Sequence, residues 1–334
     1  MLDSHSNSST IIKKHQWPII YHEGYNVHFM GLEKLHPFDA SKWSNIIKYL
    51  IDSGMINKDS VIRPNEASKS DLLLVHTKRY LRKLKSSLTV SRIAEVPLLM
   101  FVPNCLVQSG YLRPMRLQTG GSIMAAKLAC QQGWAINIGG GFHHCSSDRG
   151  GGFCPYADVT LLIKHALRDK QLGVKKVMIV DLDAHQGNGY QRDFLNDNQI
   201  YILDMFNSEI YPKDNLAKQA ITRLVELKPF TKDNIYLNKL EYHMEEALSE
   251  FNPDLIVFIA GTDVLEGDSL GLLSVTQEGI IKRDEFMFKK ARHNKNPIPI
   301  VMLTSGGYLK KTAKIIANSI INLRDQGLIN SPEN

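Results

Sequence analysis

Asp183 and His185 stand two positions apart and offer a carboxylate and an imidazole from one stretch of chain. In extended backbone, residues i and i+2 point to the same side, so these two groups converge. Asp263, far along the chain, completes a set of two oxygens and one nitrogen. Catalytic zinc takes three protein ligands and keeps a further position open. There it lowers the pKa of a water from ~15.7 to about 7 and polarises a carbonyl. The same residues suit a plainer role, with Asp183 and Asp263 capping helices and His185 filling a loop. Asp-x-His alone does not decide between the two.

His143 and His144 follow the triple glycine Gly139-Gly140-Gly141, which lets backbone approach closely. Two histidines supply a general base and a charged stabiliser when their neighbours push their pKa values apart. Asp181 and Asn188 are suitable orienting partners, one ionic and one neutral, and so would favour protonation of one histidine over the other. A surface loop, or direct metal ligation, is the competing reading of the pair. Tyr308, after Gly306-Gly307, places a phenol where it can donate to an oxyanion or simply pack. The glycine clusters fit neither GxGxxG nor GxxxxGK[ST], and no Walker lysine follows them.

These residues need elements to hold them. Short, nearly continuous apolar runs at 134–138, 177–180, 201–203, 255–259 and 298–303 read as strands covered on both faces. Helical patterns at 157–171, 233–251, 277–292 and 309–323 alternate with them, which implies parallel βαβ units. Earlier, Trp43, Ile46, Ile47, Leu50 and Ile51 follow helical spacing, with Asp39 or Ser41 as cap and Gly54 as stop. The expectation is one α/β domain, an open and mainly parallel sheet with helices on both faces. In such folds the ligand crevice lies beyond the carboxyl ends of the strands. His143-His144, Asp181 to Asn188, Asp263 and Tyr308 all come just after strands, as a shared rim requires.

Composition narrows the class further. A chain of 334 residues, 43% hydrophobic, buries a core without needing metal or disulfide to fold. A metal here therefore reads as catalytic. Four cysteines without a CxxC pair argue against a disulfide framework and a thiolate zinc site. Cys145 and Cys154, beside the histidine loop, read as inert thiols. No apolar run reaches membrane-spanning length, and the polar start of the chain lacks a secretory signal core. A nuclear or cytoplasmic location is expected. Net charge is +6, densest from Lys78 to Lys85, which reads as the solvated face of an amphipathic helix. No nucleic-acid signature accompanies it.

Taken together, GGGFHHCSSDRGGGFCPYAD (139–158), VDLDAHQGNG (180–189), AGTD (260–263) and TSGGY (304–308) resemble the zinc-dependent histone deacetylases. FMGLEKLHPFDASKW (29–43) and DLLLVHTKRYL (71–81) add to the resemblance, which is closest to the class IV branch of that family. The resemblance runs from about residue 16 to residue 328. It implies an arginase/deacetylase-like fold and one zinc held by Asp183, His185 and Asp263. It also implies His144 as general base, His143 as electrostatic partner, and Asp181 and Asn188 as their orienting groups. Phe153 and Tyr211 would wall a channel for the lysine stem, with the Gly152 carbonyl available to substrate. Potassium would sit near Asp181, Asp183 and His185.

The reaction implied is hydrolysis of acyl-lysine amides on histones or other proteins, acetyl and also long fatty-acyl groups in that branch. Deacetylase-complex partners are expected, and a direct nucleic-acid site is not. A small-molecule deacylase of the acetylpolyamine type and a chromatin scaffold with residual catalysis are the rival functions. A binuclear arginase-type centre would need more ligands than Asp183 and Asp263 gather. The domain expectation is an arm at 1–14, a catalytic domain at 15–328 and a flexible tail at 329–334.

Overall fold

The computed structural model describes residues 16–28, 31 and 39–330. The expected arm at 1–14, most of the 29–43 segment and residues 331–334 lie outside the described residues. The apolar runs become a seven-stranded sheet built from β1 (Ile19–Ile20), β2 (Trp134–Asn137), β3 (Val177–Asp181), β4 (Ile200–Asn207), β5 (Arg223–Leu227), β6 (Leu255–Ile259) and β7 (Ile300–Leu303). Their spatial order is β1-β2-β7-β6-β3-β4-β5. Every neighbouring pair is parallel. The expected single α/β domain is therefore what forms, and its sheet is parallel throughout.

Pleating sends alternate side chains to opposite faces, and both faces of the sheet are dry. On β3, Met178 and Val180 join one core cluster while Val177 and Ile179 join the other. On β6, Ile256 and Phe258 face one way and Val257 and Ile259 the other. The helices in chain order are α1 (Lys42–Asp52), α2 (Lys69–Leu72), α3 (Lys78–Lys83), α4 (Ser87–Ile93), α5 (Asn104–Val107), α6 (Arg113–Gln132), α7 (Asp158–Arg168), α8 (Asn188–Asp193), α9 (Asp233–Glu250), α10 (Gln277–Arg292) and α11 (Thr312–Asp325). Residues of α6 and α7 pack with the second cluster, and residues of α1, α9, α10 and α11 with the first.

Several elements escape the sequence reading, and for two of them the physical reason is plain. The edge strand β5 alternates, with Val225 and Leu227 buried and Leu224 and Glu226 exposed, as one-sided edge strands do. Helix α6 carries Gly120-Gly121 in its interior, which costs about 1 kcal/mol per glycine relative to alanine in a free helix. Here the glycine answers a close approach, because a Cβ on Gly120 would lie 1.9 Å from the Asn65 carbonyl oxygen. At the other end, Ile329, expected in the flexible tail, is buried, and its amide reaches Leu323 O at 3.4 Å.

Intrinsic helix propensity alone would make Gly120→Ala stabilising by about 1 kcal/mol. The Asn65 backbone cannot yield as a side chain would, so the substitution is expected to destabilise the fold by about 2 kcal/mol or more. Urea unfolding of the two proteins checks this, and a higher midpoint for the variant would refute the close-packing account.

Candidate active site

The carboxyl ends of β2, β3, β6 and β7 meet at one rim. Asp183, His185 and Asp263 each place one ligand atom there, all within 4.8 Å of one another, and all three residues are buried. His185 Nδ1 lies 3.1 Å from Asp183 Oδ1 and 2.9 Å from Asp263 Oδ2. The remaining carboxylate oxygens are held by donors. Asp263 Oδ1 accepts from the Ala184 amide at 2.9 Å. Asp183 Oδ2 accepts from the Gly306 amide at 3.1 Å and lies 3.0 Å from Ser305 Oγ. Burial opposes a charge on His185, yet hydrogen bonds to Asp183 and Asp263 raise its pKa to about 10. Burial and the Asp183 charge raise Asp263 to about 7. Uncompensated carboxylates in a dry site cost several kcal/mol each, so this trio demands positive charge at its centre. Two oxygens and an imidazole nitrogen are a donor set that suits zinc.

Beside the trio stand the two histidines, their ring centres 4.1 Å apart. His143 Nδ1 lies 2.9 Å from Asp181 Oδ2, and its Nε2 lies 3.5 Å from Asp183 Oδ1. Burial opposes its charge, but Asp183 and Asp181 prevail and lift its pKa to about 9. His144 instead meets an amide, with Nδ1 2.9 Å from Asn188 Oδ1. Burial, then the charges of His143 and His185, hold it well below the ordinary value. One histidine is thus poised as a cation and its neighbour as a neutral base.

The Asn188 amide is itself oriented. Its Nδ2 donates to Asp214 Oδ2 at 3.3 Å, and Asp214 takes both forks of Arg192 at 2.8 and 2.7 Å. An ionised carboxylate only accepts. The NH2 of Asn188 must therefore face Asp214, its oxygen must face His144, and His144 must carry its proton on Nδ1. Nε2 is left with the lone pair. Neither Asp214 nor Arg192 stands out in the sequence, because nothing local marks an Asp some twenty-six positions from its amide partner.

Phe153, His144, Gly152, Tyr308, Trp43 and Met115 are among the walls of a cavity of about 40 Å³ that reaches this centre. Gly152 has φ +51°, and a Cβ there would lie 2.4 Å from His144 Cδ2. Tyr211 stands farther out, half-exposed, its ring centre 5.0 Å from that of His144. The Tyr308 amide donates to Asp268 Oδ2 at 3.0 Å. Burial, with Asp263 and Asp183 nearby, keeps the Tyr308 phenol well above its usual pKa and so protonated. Cys145 and Cys154 are buried and free, and burial pushes both thiols up, away from the thiolate state.

Four further residues hold the site together, and helical spacing hides them. Lys42, on α1 beside Trp43, is buried and donates to Ser305 O at 2.5 Å and Gly306 O at 3.4 Å. Burial outweighs the nearby Asp263 and Asp183 and lowers its pKa to about 8. Arg283 of α10 donates to Gly261 O at 2.5 Å and Leu182 O at 3.3 Å, tying together the loops that carry Asp263 and Asp183. Asp158 accepts from the amides of Gly141 and Phe142 at 2.8 and 2.7 Å, which fixes the loop before His143. His76 accepts from the Ala157 amide at Nε2, 3.0 Å, and lies 3.1 Å from Ser147 O at Nδ1, so it spans the glycine-rich loop. Each of these looks like a solvated helix residue or a cap until the fold closes around it.

A parallel α/β sheet that gathers a buried Asp-His-Asp trio and a histidine pair at its carboxyl edge is the framework of a hydrolase. Comparison with known proteins makes the family definite. A family model of the histone deacetylase domain matches residues 36–323, and the chain belongs to that family. It is 54% identical to Histone deacetylase 2 of Arabidopsis thaliana over 93% of this chain and 79% of that protein. It is 26% identical to the Acetoin utilization protein AcuC of Staphylococcus aureus (strain MRSA252), over 82% of this chain and 72% of that protein. The solved HDA15 HD domain superimposes with a TM-score of 0.72 at 20% identity, over 93% of this chain and 88% of that one. That likeness carries the fold.

Two outcomes follow from the hydrogen bonds of this site. In nitrogen NMR at neutral pH, His144 is expected as the Nδ1–H form, and Asp214→Ala is expected to release the Asn188 amide and admit the Nε2–H form. An unchanged tautomer in the variant would sink the relay. For His76, burial lowers the pKa to about 4 from 6.5, and a proton on Nε2 would oppose the Ala157 N–H. Above pH 6.5 the imidazole is neutral in folded and unfolded chains alike. Between 6.5 and about 4 the unfolded chain binds a proton that the folded one refuses, so stability falls with falling pH, by up to about 3 kcal/mol. Urea midpoints across that range should fall more steeply for the parent protein than for His76→Gln, and parallel curves would overturn this.

Proposed function

We propose that the chain is a zinc-dependent hydrolase of acyl-lysine amides, of the class IV type. Residues 15–328 act as its catalytic domain, with histones or other proteins as substrates. The observation that carries this is the split histidine pair beside the buried Asp183–His185–Asp263 trio, at the inner end of a narrow cavity. Bound by that trio, zinc would supply Lewis acidity toward a carbonyl oxygen and a water molecule. The protein's own groups account for the rest. Asn188 holds His144 with Nε2 unprotonated, so that atom takes a proton from the attacking water. His143, held as a cation by Asp181 and Asp183, offsets the charge that builds on the reacting amide. The protonated Tyr308 donates a hydrogen bond to the substrate oxygen as it becomes negative. His144 Nε2 then returns its proton to the lysine amine, which leaves poorly without one. Phe153 flanks the lysine stem and Tyr211 guards the mouth.

A monovalent cation such as potassium also fits the floor of the site. Asp181 pairs in register with Asp204 on β4. Asp204 Oδ1 is buried without a hydrogen-bond partner, although its Oδ2 accepts from the Gly187 amide at 3.1 Å and from Gln191. Burial and the Asp181 charge push the Asp204 carboxyl well above its usual pKa, and its orphaned oxygen calls for an ion, a water or a proton; the proposed occupant is the ion. Asp181, Asp183, His185 and Asp204 are the residues that would hold it and offset the gathered negative charge.

The proposed preference is for acetyl, and it is supported by a cavity of about 40 Å³, roughly three water-sized positions; Trp43 and Met115 are among the walls that a longer acyl chain would meet. Lysine peptides bearing acetyl, octanoyl and myristoyl groups, with acetylpolyamine alongside, are the test. Zinc-dependent release of lysine, fastest from the acetyl peptide and lost in Asp263→Ala, is expected. Hydrolysis of acetylpolyamine alone would move the substrate class to small molecules. Tyr308→Phe should cost about 10²–10³ in kcat with zinc content retained, and unchanged turnover would remove the phenol from the reaction.

A further inference from the structure

The basic run of α3, Lys78 to Lys85, is more than a solvated helix face. It forms one wall of a groove of about 890 Å³ on the outer side of the glycine-rich loop. Lys69, Lys78, Arg82, Lys85 and Arg116 line it, and among the described residues no aspartate or glutamate does. Among the described residues, Lys69, Lys78 and Lys85 form no ion pair, and the Arg82 Nε donates only to a backbone oxygen, Lys78 O, at 3.3 Å. Arg116 is partly offset, since Glu66 accepts from its Nε at 2.5 Å. Leu72, Leu73, Leu81 and Leu84 form the apolar side of the same groove.

We infer that this groove docks an acidic segment of a partner protein, one that presents glutamate or aspartate together with apolar side chains along a helix. Charge complementarity sets the sign of the occupant, and the leucines set its second requirement. A free phosphate would leave the leucines unused. Single-stranded nucleic acid calls for aromatic platforms on which bases stack. Among the described residues Tyr156 is the one aromatic side chain lining the groove, and its hydroxyl is tied to Arg116 at 3.1 Å. Basic histone tails are repelled, so the groove is no extension of the substrate site. Segments 1–15 and 331–334 lack the acidic and leucine-rich character it calls for. Residues 1–15 hold one aspartate against two lysines, and residues 331–334 a single glutamate.

The groove is wired to the catalytic loop. Tyr156, in its wall, follows Cys154-Pro155. Tyr80, the buried residue of α3, donates to Pro155 O at 2.8 Å and lies 3.8 Å from Cys145 Sγ. The Thr77 amide donates to Ser147 O at 3.1 Å. An occupant seated along α3 therefore lies next to side chains and amides bonded to the segment between His144 and Asp158.

The experiment is a fluorescence-anisotropy titration of the full chain with a labelled helical peptide of glutamates carrying leucines at i, i+3 and i+4 spacing. A leucine-to-serine version, a lysine version and a single-stranded oligonucleotide are run beside it. Saturable binding of the first peptide is expected, weakened about tenfold by Lys78→Glu/Arg82→Glu and likewise by loss of its leucines. Both substituted residues are exposed and outside the catalytic machinery, and circular dichroism confirms the fold. Equal binding of the serine version would reduce the groove to an unspecific anion surface and overturn the proposal. Tighter binding of the oligonucleotide, or no effect of the double charge reversal, would overturn it too. Binding is read without turnover, so failure here stands apart from failure of the proposed hydrolase activity.

Discussion

Burying several carboxylates at the edge of one sheet is the constraint around which the rest of the molecule is arranged. Asp181, Asp183 and Asp263 are each almost wholly inaccessible, and three acids so close repel one another strongly in a dry medium. They are tolerated because amides, hydroxyls and imidazoles saturate their oxygens. Tyr190 and His143 share Asp181 Oδ2 at 2.9 Å each, while Asp181 Oδ1 accepts from the Asp183 amide at 3.1 Å. Two buried cations then brace the surrounding loops from behind. Arg283 grips carbonyls of the β3 and β6 loops, and Lys42 grips those of Ser305 and Gly306. The remaining negative charge is what a metal at the trio would neutralise.

The unlike partners of the two histidines follow from the same economy of charge. Placing the ionic partner on His143 lets that ring absorb part of the carboxylate charge. A second ionic partner on His144 would leave two adjacent imidazolium ions at a 4.1 Å centre distance. An amide avoids this, but an amide can turn over, and the Arg192–Asp214 pair removes that freedom. The polarity of one hydrogen bond at the surface is thereby passed inward to a ring nitrogen. No backbone movement is needed, only fixed donor and acceptor identities.

A third layer supports the site from outside. His76, Tyr80, Tyr111 and Arg116 all bond to the segment 147–157, and Tyr111 donates to Phe153 O at 2.8 Å with its ring 5.1 Å from that of Phe153. The channel wall is therefore as rigid as the helices α3 and α6 behind it. The width of the cavity at Phe153 is set by this scaffold as much as by Phe153 itself.

Much of this was legible in one dimension. The parallel sheet could be read because strands dry on both faces are continuous apolar runs, and those of β2, β3, β6 and β7 end where Gly139, Leu182, Ala260 and Thr304 begin the functional loops. The trio and the histidine pair were legible because chemistry at a strand end is local to it. Helix α6 was hidden by Gly120, whose need is set by an Asn65 carbonyl distant in sequence, and β5 by the charges on its exposed face. Lys42, Arg283, His76 and Asp214 were hidden too, since a polar residue on a helix or in a loop shows nothing of its burial until other elements close over it. Residue types and the succession of core strands and helices along the chain were thus legible in the sequence alone, whereas the spatial order β1-β2-β7-β6-β3-β4-β5 was not. Which proton sits on which nitrogen, and what keeps the buried charges in place, was decided only when distant segments met.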